Sequence, residues 1–187
     1  MRNKIKDNFK DILTSMEKEL NFIIDKESKN NTPERLTKMY LNELLIGYTQ
    51  SPKQILSKTF DTSSRDMVVI DNIPFVSLCS HHWLPFIGTI AVGYIPDKKV
   101  VGLSKIPRIV NCFTRRFQIQ ENMTAQIADA IQKYLKPKGC IVICKAQHLC
   151  AQIRGVQAHG TTMTTSALRG AFEDEEIKNE FIKLAKL

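Results

Sequence analysis

The segment Ile87-Gly-Thr-Ile-Ala-Val-Gly-Tyr-Ile95 predicts a β-strand, since β-branched and aromatic residues dominate it and Pro96-Asp97 closes it with a turn. Val100-Val101, shortly after that turn, predicts a short return strand.

Further strands are predicted on both sides of this segment. Residues 67–76 have the pattern of a β-hairpin whose turn is Asp71-Asn72. Residues 140–146 and 149–154 predict a second strand pair, and residues 161–165 are also prone to β-structure. The sheet is therefore expected to be mostly antiparallel.

Apolar residues recur at three- and four-residue steps elsewhere in the chain, which predicts amphipathic helices. The first runs from Asn3 to Ile24, and a polar loop is expected over residues 25–31. The second is expected to begin at Thr32-Pro33 and to end at Gly47. Two central helices and a charged helical tail follow, over residues 106–117, 123–134 and 174–187.

Strand pairs around two central helices indicate the α+β class. Residues 1–60 are the expected N-terminal helical region, and residues 61–187 are the expected core. The two parts are expected to form a single domain overall, because no internal repeat or long linker divides the chain.

Composition narrows the class of protein. The 187 residues are 43% hydrophobic and 25% charged, as in an ordinary soluble domain. No apolar run approaches the ~20 residues that a membrane span needs, and the first residues lack the apolar stretch of a secretory signal. Five cysteines without framework spacing favour a reduced, cytoplasmic protein. The net charge of +8 favours an anionic partner, and the candidates are nucleic acid, a membrane surface and a phosphorylated small molecule; a plain surface with excess lysine is the alternative. No long basic tract is present, so extended nucleic-acid binding is not indicated, and neither nucleic acid nor a membrane is expected as a partner.

Two short runs carry a candidate metal site. Cys79 and His82 have the spacing that lets one tight loop aim two ligands at one ion, and Cys150 can supply a third. Two thiolates and an imidazole suit zinc, and three protein ligands leave a fourth position open, as in catalytic zinc sites. His81 and His148 then lie next to the metal as proton carriers.

Core packing is the competing explanation for any single cysteine, since free cysteine is among the most buried residue types. Cys112, Cys140 and Cys144 fit that explanation, because they lie in apolar or helical patterns. The clustering of histidine with Cys79 and Cys150 favours the metal site for those two.

A second group of residues indicates phosphate binding. Ser104 is a candidate N-cap, and Lys105 and Arg108 fall in the first turn of the next helix, where cations oppose the helix dipole. A helix N-terminus with added cations is a ready anion site, although both side chains could also point into solvent. Arg154, which follows Cys150 on the same predicted strand, adds a cation near the metal.

Two weaker hints complete the candidate site. Gln120-Glu121 places an amide beside a carboxylate that can accept from N1–H and the exocyclic amine of a purine, although these two residues alone favour an ordinary glutamate at a helix start. Arg35 and Lys38 are three residues apart, so they share one face of the second helix.

These residues lie in segments that resemble the GTP cyclohydrolase I family. The matching segments are Ser77-Leu-Cys-Ser-His-His-Trp-Leu-Pro-Phe86, residues 94–108, Arg115-Arg-Phe-Gln-Ile-Gln-Glu121, His148-Leu-Cys150, Arg154-Gly-Val156 and residues 164–172. They run in the family's order over about residues 32–172. The resemblance implies a tunnelling-fold (T-fold) subunit, in which an antiparallel four-stranded sheet packs with two helices, and a homodecamer of two pentamers with active sites at subunit interfaces.

The resemblance also implies a zinc-dependent reaction of GTP with water that gives formate and 7,8-dihydroneopterin triphosphate. In the family pattern, Cys79, His82 and Cys150 match the zinc ligands, and His81 and His148 match the catalytic histidines. We expect water to attack C8 of the purine while His148 delivers a proton to N7, with His81 as a proton shuttle. The substrate-binding positions implied are Gln120, Glu121, Ser104, Lys105, Arg108 and Arg154, with Arg35 and Lys38 donated by a neighbouring subunit.

One departure from the family pattern leaves alternatives open. Ser80 stands where the family usually has glutamate between the first cysteine and the histidine pair. One alternative is a T-fold enzyme of related purine or pterin chemistry with an altered product. The other is a zinc-dependent nucleic-acid-binding module that would use the net charge of +8. Fe(II) could replace Zn²⁺, and the pathway could be that of tetrahydrofolate or of a 7-deazaguanine compound.

Overall fold

A computed structural model describes residues 1–187, which divide into two compact units, 1–46 and 47–187. The helices are α1 (Arg2–Leu20), α2 (Lys26–Met39), α3 (Pro52–Ile55), α4 (Lys105–Thr114), α5 (Gln120–Tyr134), α6 (Leu149–Gln152) and α7 (Glu175–Leu184). The strands are β1 (Thr59–Asp61), β2 (Val68–Cys79), β3 (Pro85–Ile95), β4 (Lys99–Val101), β5 (Phe117–Gln118), β6 (Gly139–His148) and β7 (Met163–Gly170). None of the helices combines the length and the apolar character that crossing a membrane requires.

The N-terminal unit is a helical pair, α1 and α2. The prediction of a polar loop over residues 25–31 was wrong, because α2 begins at Lys26, where the Asp25 carboxylate caps it by accepting from the Ser28 amide. Pro33 therefore lies inside α2 rather than at its start. Lys29 forms a 2.5 Å ion pair with Glu17 that joins the two helices, so the polar segment expected to be a loop carries one of their contacts.

The core unit is built on one five-stranded sheet in the order β5-β2-β3-β6-β7. Strands β2, β3, β6 and β7 pair antiparallel in that order, and only the two-residue β5 is parallel to its neighbour. Helices α4 and α5 pack on this sheet. The predicted α+β class, with a four-stranded antiparallel sheet and two helices as in the T-fold, is confirmed.

Strand β2 is continuous where the sequence predicts a hairpin. Its register against β3 shifts between Ile70 and Ile73, and Asn72 has a left-handed φ of 50°. Asp71-Asn72 is therefore a β-bulge that bends one long strand, and the hairpin prediction was wrong because bulges and turns favour the same residue types.

Both faces of the sheet are covered in its centre. On β6, Cys140, Val142 and Cys144 point toward α4 and α5, whereas Ile141 and Ile143 point toward the cluster formed with Phe181 of α7. This alternation explains why the strand is an uninterrupted apolar run. The prediction that Cys112, Cys140 and Cys144 are core residues is confirmed, since each is 0% exposed.

The chain leaves β6 through a short helix. Residues 149–154 were predicted as a strand, but Leu149–Gln152 is the helix α6, and the true antiparallel partner of β6 is β7. That prediction was wrong because a single helical turn carries too few residues for a periodic signal. As a result, Cys150 and Arg154 sit beyond the end of β6 rather than on a paired strand.

Candidate metal centre and substrate site

The loop between β2 and β3 shapes the first half of the site. The Cys79 amide donates to the Leu84 carbonyl at 2.9 Å, and the Trp83 amide donates to the Cys79 carbonyl at 2.8 Å. Trp83 has a left-handed φ of 58°, which lets the chain reverse within so few residues. The tight reversal keeps Cys79 and His82 on one side of the loop.

The second half comes from the end of β6. The antiparallel register pairs Phe86 of β3 with His148 of β6, so the end of β6 lies beside the start of β3. Helix α6 then begins at once and brings Cys150 back to the loop. The ligand atoms of Cys79, His82 and Cys150 all lie within 4.8 Å of one another.

This donor set fits a divalent metal. Tetrahedral zinc with its usual bond lengths to sulfur and nitrogen separates those two ligand atoms by about 3.5 Å, and Cys79 Sγ lies 3.8 Å from His82 Nδ1. Burial raises the pKa of the Cys150 thiol, and the neighbouring Cys79 thiol raises it further. A bound cation offsets both effects, because it stabilises two adjacent thiolates.

Two further predicted site residues border the donor set. His81 Nδ1 lies 3.9 Å from Cys79 Sγ, and the ring is exposed. The Arg154 guanidinium lies 3.0 Å from His82 Nε2 and donates to the Cys150 carbonyl at 3.0 Å. A fixed positive charge therefore lies against two of the three candidate ligands.

His148 is held at the border between the core and the site. Its ring stacks on Phe86 with centroids 4.6 Å apart and planes 2° apart, and its Nε2 lies 2.8 Å from Gln120 Oε1. Burial lowers the pKa of His148, while the Glu121 carboxylate opposes that shift. A half-buried imidazole with a carboxylate nearby is well placed for proton transfer.

Gln120 and Glu121, the first residues of α5, point in different directions. Glu121 is exposed, whereas Gln120 is 1% exposed and its amide bonds to protein groups. The sequence predicts that the Gln120 amide contacts a purine, whereas in the structure this amide is buried and faces protein groups. Phe86 and Thr165, which hold His148 and Gln120, carried no signal in the sequence beyond apolar and β-prone patterns.

The start of α4 presents the predicted anion-binding residues. Ser104 is the N-cap residue, and its hydroxyl makes no capping hydrogen bond. Lys105 is half-buried and Arg108 is exposed, and Arg108 lines a cavity of about 430 Å³ together with Asn111 and Gln54. No acidic residue lies in the first turn to neutralise these cations.

Arg35 and Lys38 lie on α2 of the N-terminal unit, whereas the other predicted site residues belong to residues 47–187. Both side chains are exposed, and each is paired within its own unit. Arg35 contacts Glu27 at 2.5 Å and Lys38 contacts Glu34 at 3.3 Å. Exposed pairs of this kind contribute little to stability, so both cations are available to another ligand.

Comparisons with known proteins place these residues in a family. A profile of the GTP cyclohydrolase I family matches residues 5–186. The chain is 48% identical over 159 residues to GTP cyclohydrolase 1 of Wolinella succinogenes, covering 84% of each chain. It is 45% identical over 186 residues to GTP cyclohydrolase 1 of Campylobacter concisus, covering 98% of this chain and 95% of that protein.

Among solved structures, the apo form of the archaeosine synthase QueF-Like is similar with a TM-score of 0.49 and 16% identity, covering 58% of this chain and 98% of that one. Family membership rests on the sequence matches, which extend over nearly the whole chain. The chain belongs to the GTP cyclohydrolase I family of enzymes.

Proposed function

We propose that this enzyme uses zinc to open the imidazole ring of GTP hydrolytically, releasing formate and forming 7,8-dihydroneopterin triphosphate. The observation that carries the proposal is the convergence of three soft ligand atoms, those of Cys79, His82 and Cys150, within 4.8 Å. His148, two residues before Cys150, supplies a proton carrier beside them. Family membership supports GTP as the substrate.

Cys79, His82 and Cys150 would hold the zinc ion, and a three-ligand set leaves one tetrahedral position free. Zinc bound there supplies Lewis acidity, which lowers the pKa of a water molecule from about 15.7 to about 7. The positively charged Arg154 against His82 and Cys150 limits the negative charge of the two thiolates. Fe(II) is the alternative metal under reducing conditions.

His148 would transfer a proton to N7 of the base as water adds at C8 and the ring opens. Burial lowers the pKa of this ring, which makes its protonated form a stronger acid than free imidazolium. His81 is exposed beside Cys79 and would move protons in the later rearrangement of the ribose and closure to the pterin.

Recognition of GTP would be divided between base and phosphates. Glu121 would accept hydrogen bonds from N1–H and the exocyclic amine of guanine. The ribose and the phosphates would be bound by Arg154 and by the residues at the start of α4, which are Ser104, Lys105 and Arg108. Arg35 and Lys38 would reach the triphosphate of a neighbouring subunit, in a decamer of two pentamers. We place the enzyme in the cytoplasm, in the pathway of tetrahydrofolate or of 7-deazaguanine compounds.

The proposal is tested by incubating zinc-loaded protein with GTP and following formate and pterin together. We expect both products in equal amounts, and we expect neither from chelator-treated protein or from Cys150→Ser, with activity of the treated wild type restored by zinc. Formate without a fluorescent pterin after oxidation would replace the proposal by an enzyme that stops after ring opening. Absence of both products from zinc-loaded protein would overturn it.

A further inference from the structure

We propose that Gln120 is a positioning residue that holds neutral His148 in the tautomer with its proton on Nε2, so that Nδ1 is the nitrogen that exchanges a proton in the site. The tautomer follows from hydrogen-bond directions alone. Its role in proton transfer rests on the function proposed above.

The orientation of the Gln120 amide is fixed by its surroundings. Its nitrogen Nε2 lies 3.2 Å from the Cys144 carbonyl and 3.0 Å from the Met163 carbonyl. Carbonyl oxygens can only accept, so a flipped amide would set its own oxygen against two other oxygens in a buried position. The amide nitrogen therefore faces β6 and β7, and the oxygen Oε1 faces His148.

A chain of hydroxyl groups supports the same direction. The Thr124 hydroxyl donates its single proton to the main-chain carbonyl of Gln120 at 2.7 Å. The Thr165 hydroxyl lies 2.7 Å from Thr124 Oγ1 and can donate to it or to the neighbouring Cys144 sulfur. Thr165 Oγ1 is left to accept from Gln120 Nε2 at 3.1 Å. In either case the hydroxyl groups agree with the amide direction that the Cys144 and Met163 carbonyls set.

The fixed Gln120 amide determines the protonation of His148 through a single contact. Gln120 Oε1 lies 2.8 Å from His148 Nε2 and can only accept, so Nε2 carries a proton. Turning the ring by 180° about its Cβ–Cγ bond would exchange Nε2 for a carbon and lose this bond. The parallel stacking on Phe86, with planes 2° apart, sets the plane in which the bond is made. In the neutral ring, Nδ1 is therefore the unprotonated nitrogen.

Adjacent residues at the start of α5 thus have separate tasks. Gln120 is 1% exposed and all of its amide contacts are internal, so it acts through His148 and not on a purine. Glu121, on the exposed side, remains the residue that can contact a base. An orienting partner of this kind commonly sets which nitrogen of a functional histidine is free.

The direct test is NMR of zinc-loaded protein with ¹³C- and ¹⁵N-labelled histidine, at a pH where the His148 ring is neutral. His148→Asn serves only to assign the signals. We expect the Nε2–H signature for wild-type His148, and a shift toward the Nδ1–H form in Gln120→Met, which keeps the length of the side chain but lacks an acceptor. Gln120→Glu keeps an acceptor and should retain the wild-type tautomer.

Steady-state kinetics give the second readout. In Gln120→Met we expect kcat to fall about 10- to 100-fold, KM for GTP to change less than about threefold, and zinc content to be unchanged. Gln120→Glu should recover most of kcat. A large rise in KM with kcat preserved would overturn the proposal, because it would mean that Gln120 contacts the substrate.

The two proposals fail in different ways. An Nδ1–H signature in the wild type overturns the inference about Gln120 even if GTP turnover is full. Absence of turnover with the Nε2–H signature present overturns the proposed function and leaves the tautomer assignment standing. The wild-type tautomer needs only the His148→Asn spectrum for its assignment, so the test holds even if Gln120→Met does not fold.

Discussion

The interior of β6 and the residues that follow its end both carry cysteine, and the thiols face different surroundings. Cys140 and Cys144 lie between β6 and α5, where each is 0% exposed and burial raises the pKa of each thiol to about 12. Cys150 lies just beyond the strand, half-buried, with Cys79 and His82 within 4.8 Å.

The difference between these two regions shows how position decides the chemistry of one residue type. A cysteine inside a strand that is covered on both faces packs as a small apolar side chain. A cysteine just beyond the end of the strand lies beside the loop between β2 and β3, where Cys79 and His82 can share a metal ion with it. Cys144 and Cys150 are only six positions apart in the chain.

The largest expected effect is a loss of catalytic rate when the residue at the end of β6 is replaced. Replacing His148, at the end of β6, by alanine should lower the rate of formate release by about 10²- to 10⁴-fold, because a positioned acid is removed. Zinc content should stay at the wild-type level. His159→Ala is the matched control, since this exposed histidine has no place in the candidate site. Near-normal formate release by His148→Ala would contradict the assignment.

The second prediction concerns thiol reactivity in folded, metal-free protein. A pKa of about 12 leaves about 10³-fold less thiolate at pH 8 than an ordinary cysteine has, so Cys140 and Cys144 should react about that much more slowly with iodoacetamide. Their thiolate fraction grows only as the pH rises toward 12. Peptide mass spectrometry should find Cys150 alkylated first, and zinc should protect it.

Denatured protein provides the control for this experiment, because all five cysteines should then react at similar rates. Equal rates for Cys144 and Cys150 in the folded protein would show that burial does not distinguish the interior of β6 from its end.

The smallest expected effect tests the packing of the interior region. A Cβ added at Gly93 of β3 would lie 2.5 Å from Phe181 and 2.9 Å from Ile141 of β6. Gly93→Ala should therefore lower the free energy of unfolding by about 1–3 kcal/mol, measured by urea denaturation. Gly102→Ala, where the nearest atom would be 3.8 Å away, should change it by less than about 0.5 kcal/mol. Equal free energies of unfolding for Gly93→Ala and the wild type would mean that α7 shifts easily to make room for the added methyl group.

The parts of the fold that the sequence predicts well are those with a long periodic signal. Residues 87–95 and 140–146 are strands, and residues 106–117 and 123–134 largely coincide with α4 and α5. The bulge at Asp71-Asn72 was not predictable, because only the pairing with β3 distinguishes a bulge from a turn.

The candidate site divides in the same way. The ligand types at Cys79, His82 and Cys150 are visible in the sequence, whereas their meeting depends on the β3–β6 register that pairs Phe86 with His148. The direction of the Gln120 side chain could not be predicted, because it is set by carbonyl groups of β6 and β7 that are far away in the sequence.

The short strand β5 has a mechanical consequence for the whole site. It pairs with Leu78 and Cys79, and the Gln118 carbonyl accepts from the Ser80 amide at 3.0 Å. Only Ile119 then separates this ladder from α5. One inserted residue at that point would rotate the start of the helix by about 100° and turn Glu121 away, while Cys79 stayed in place. The two-residue ladder of β5 thus sets the distance between the Glu121 carboxylate and Cys79, the candidate metal ligand.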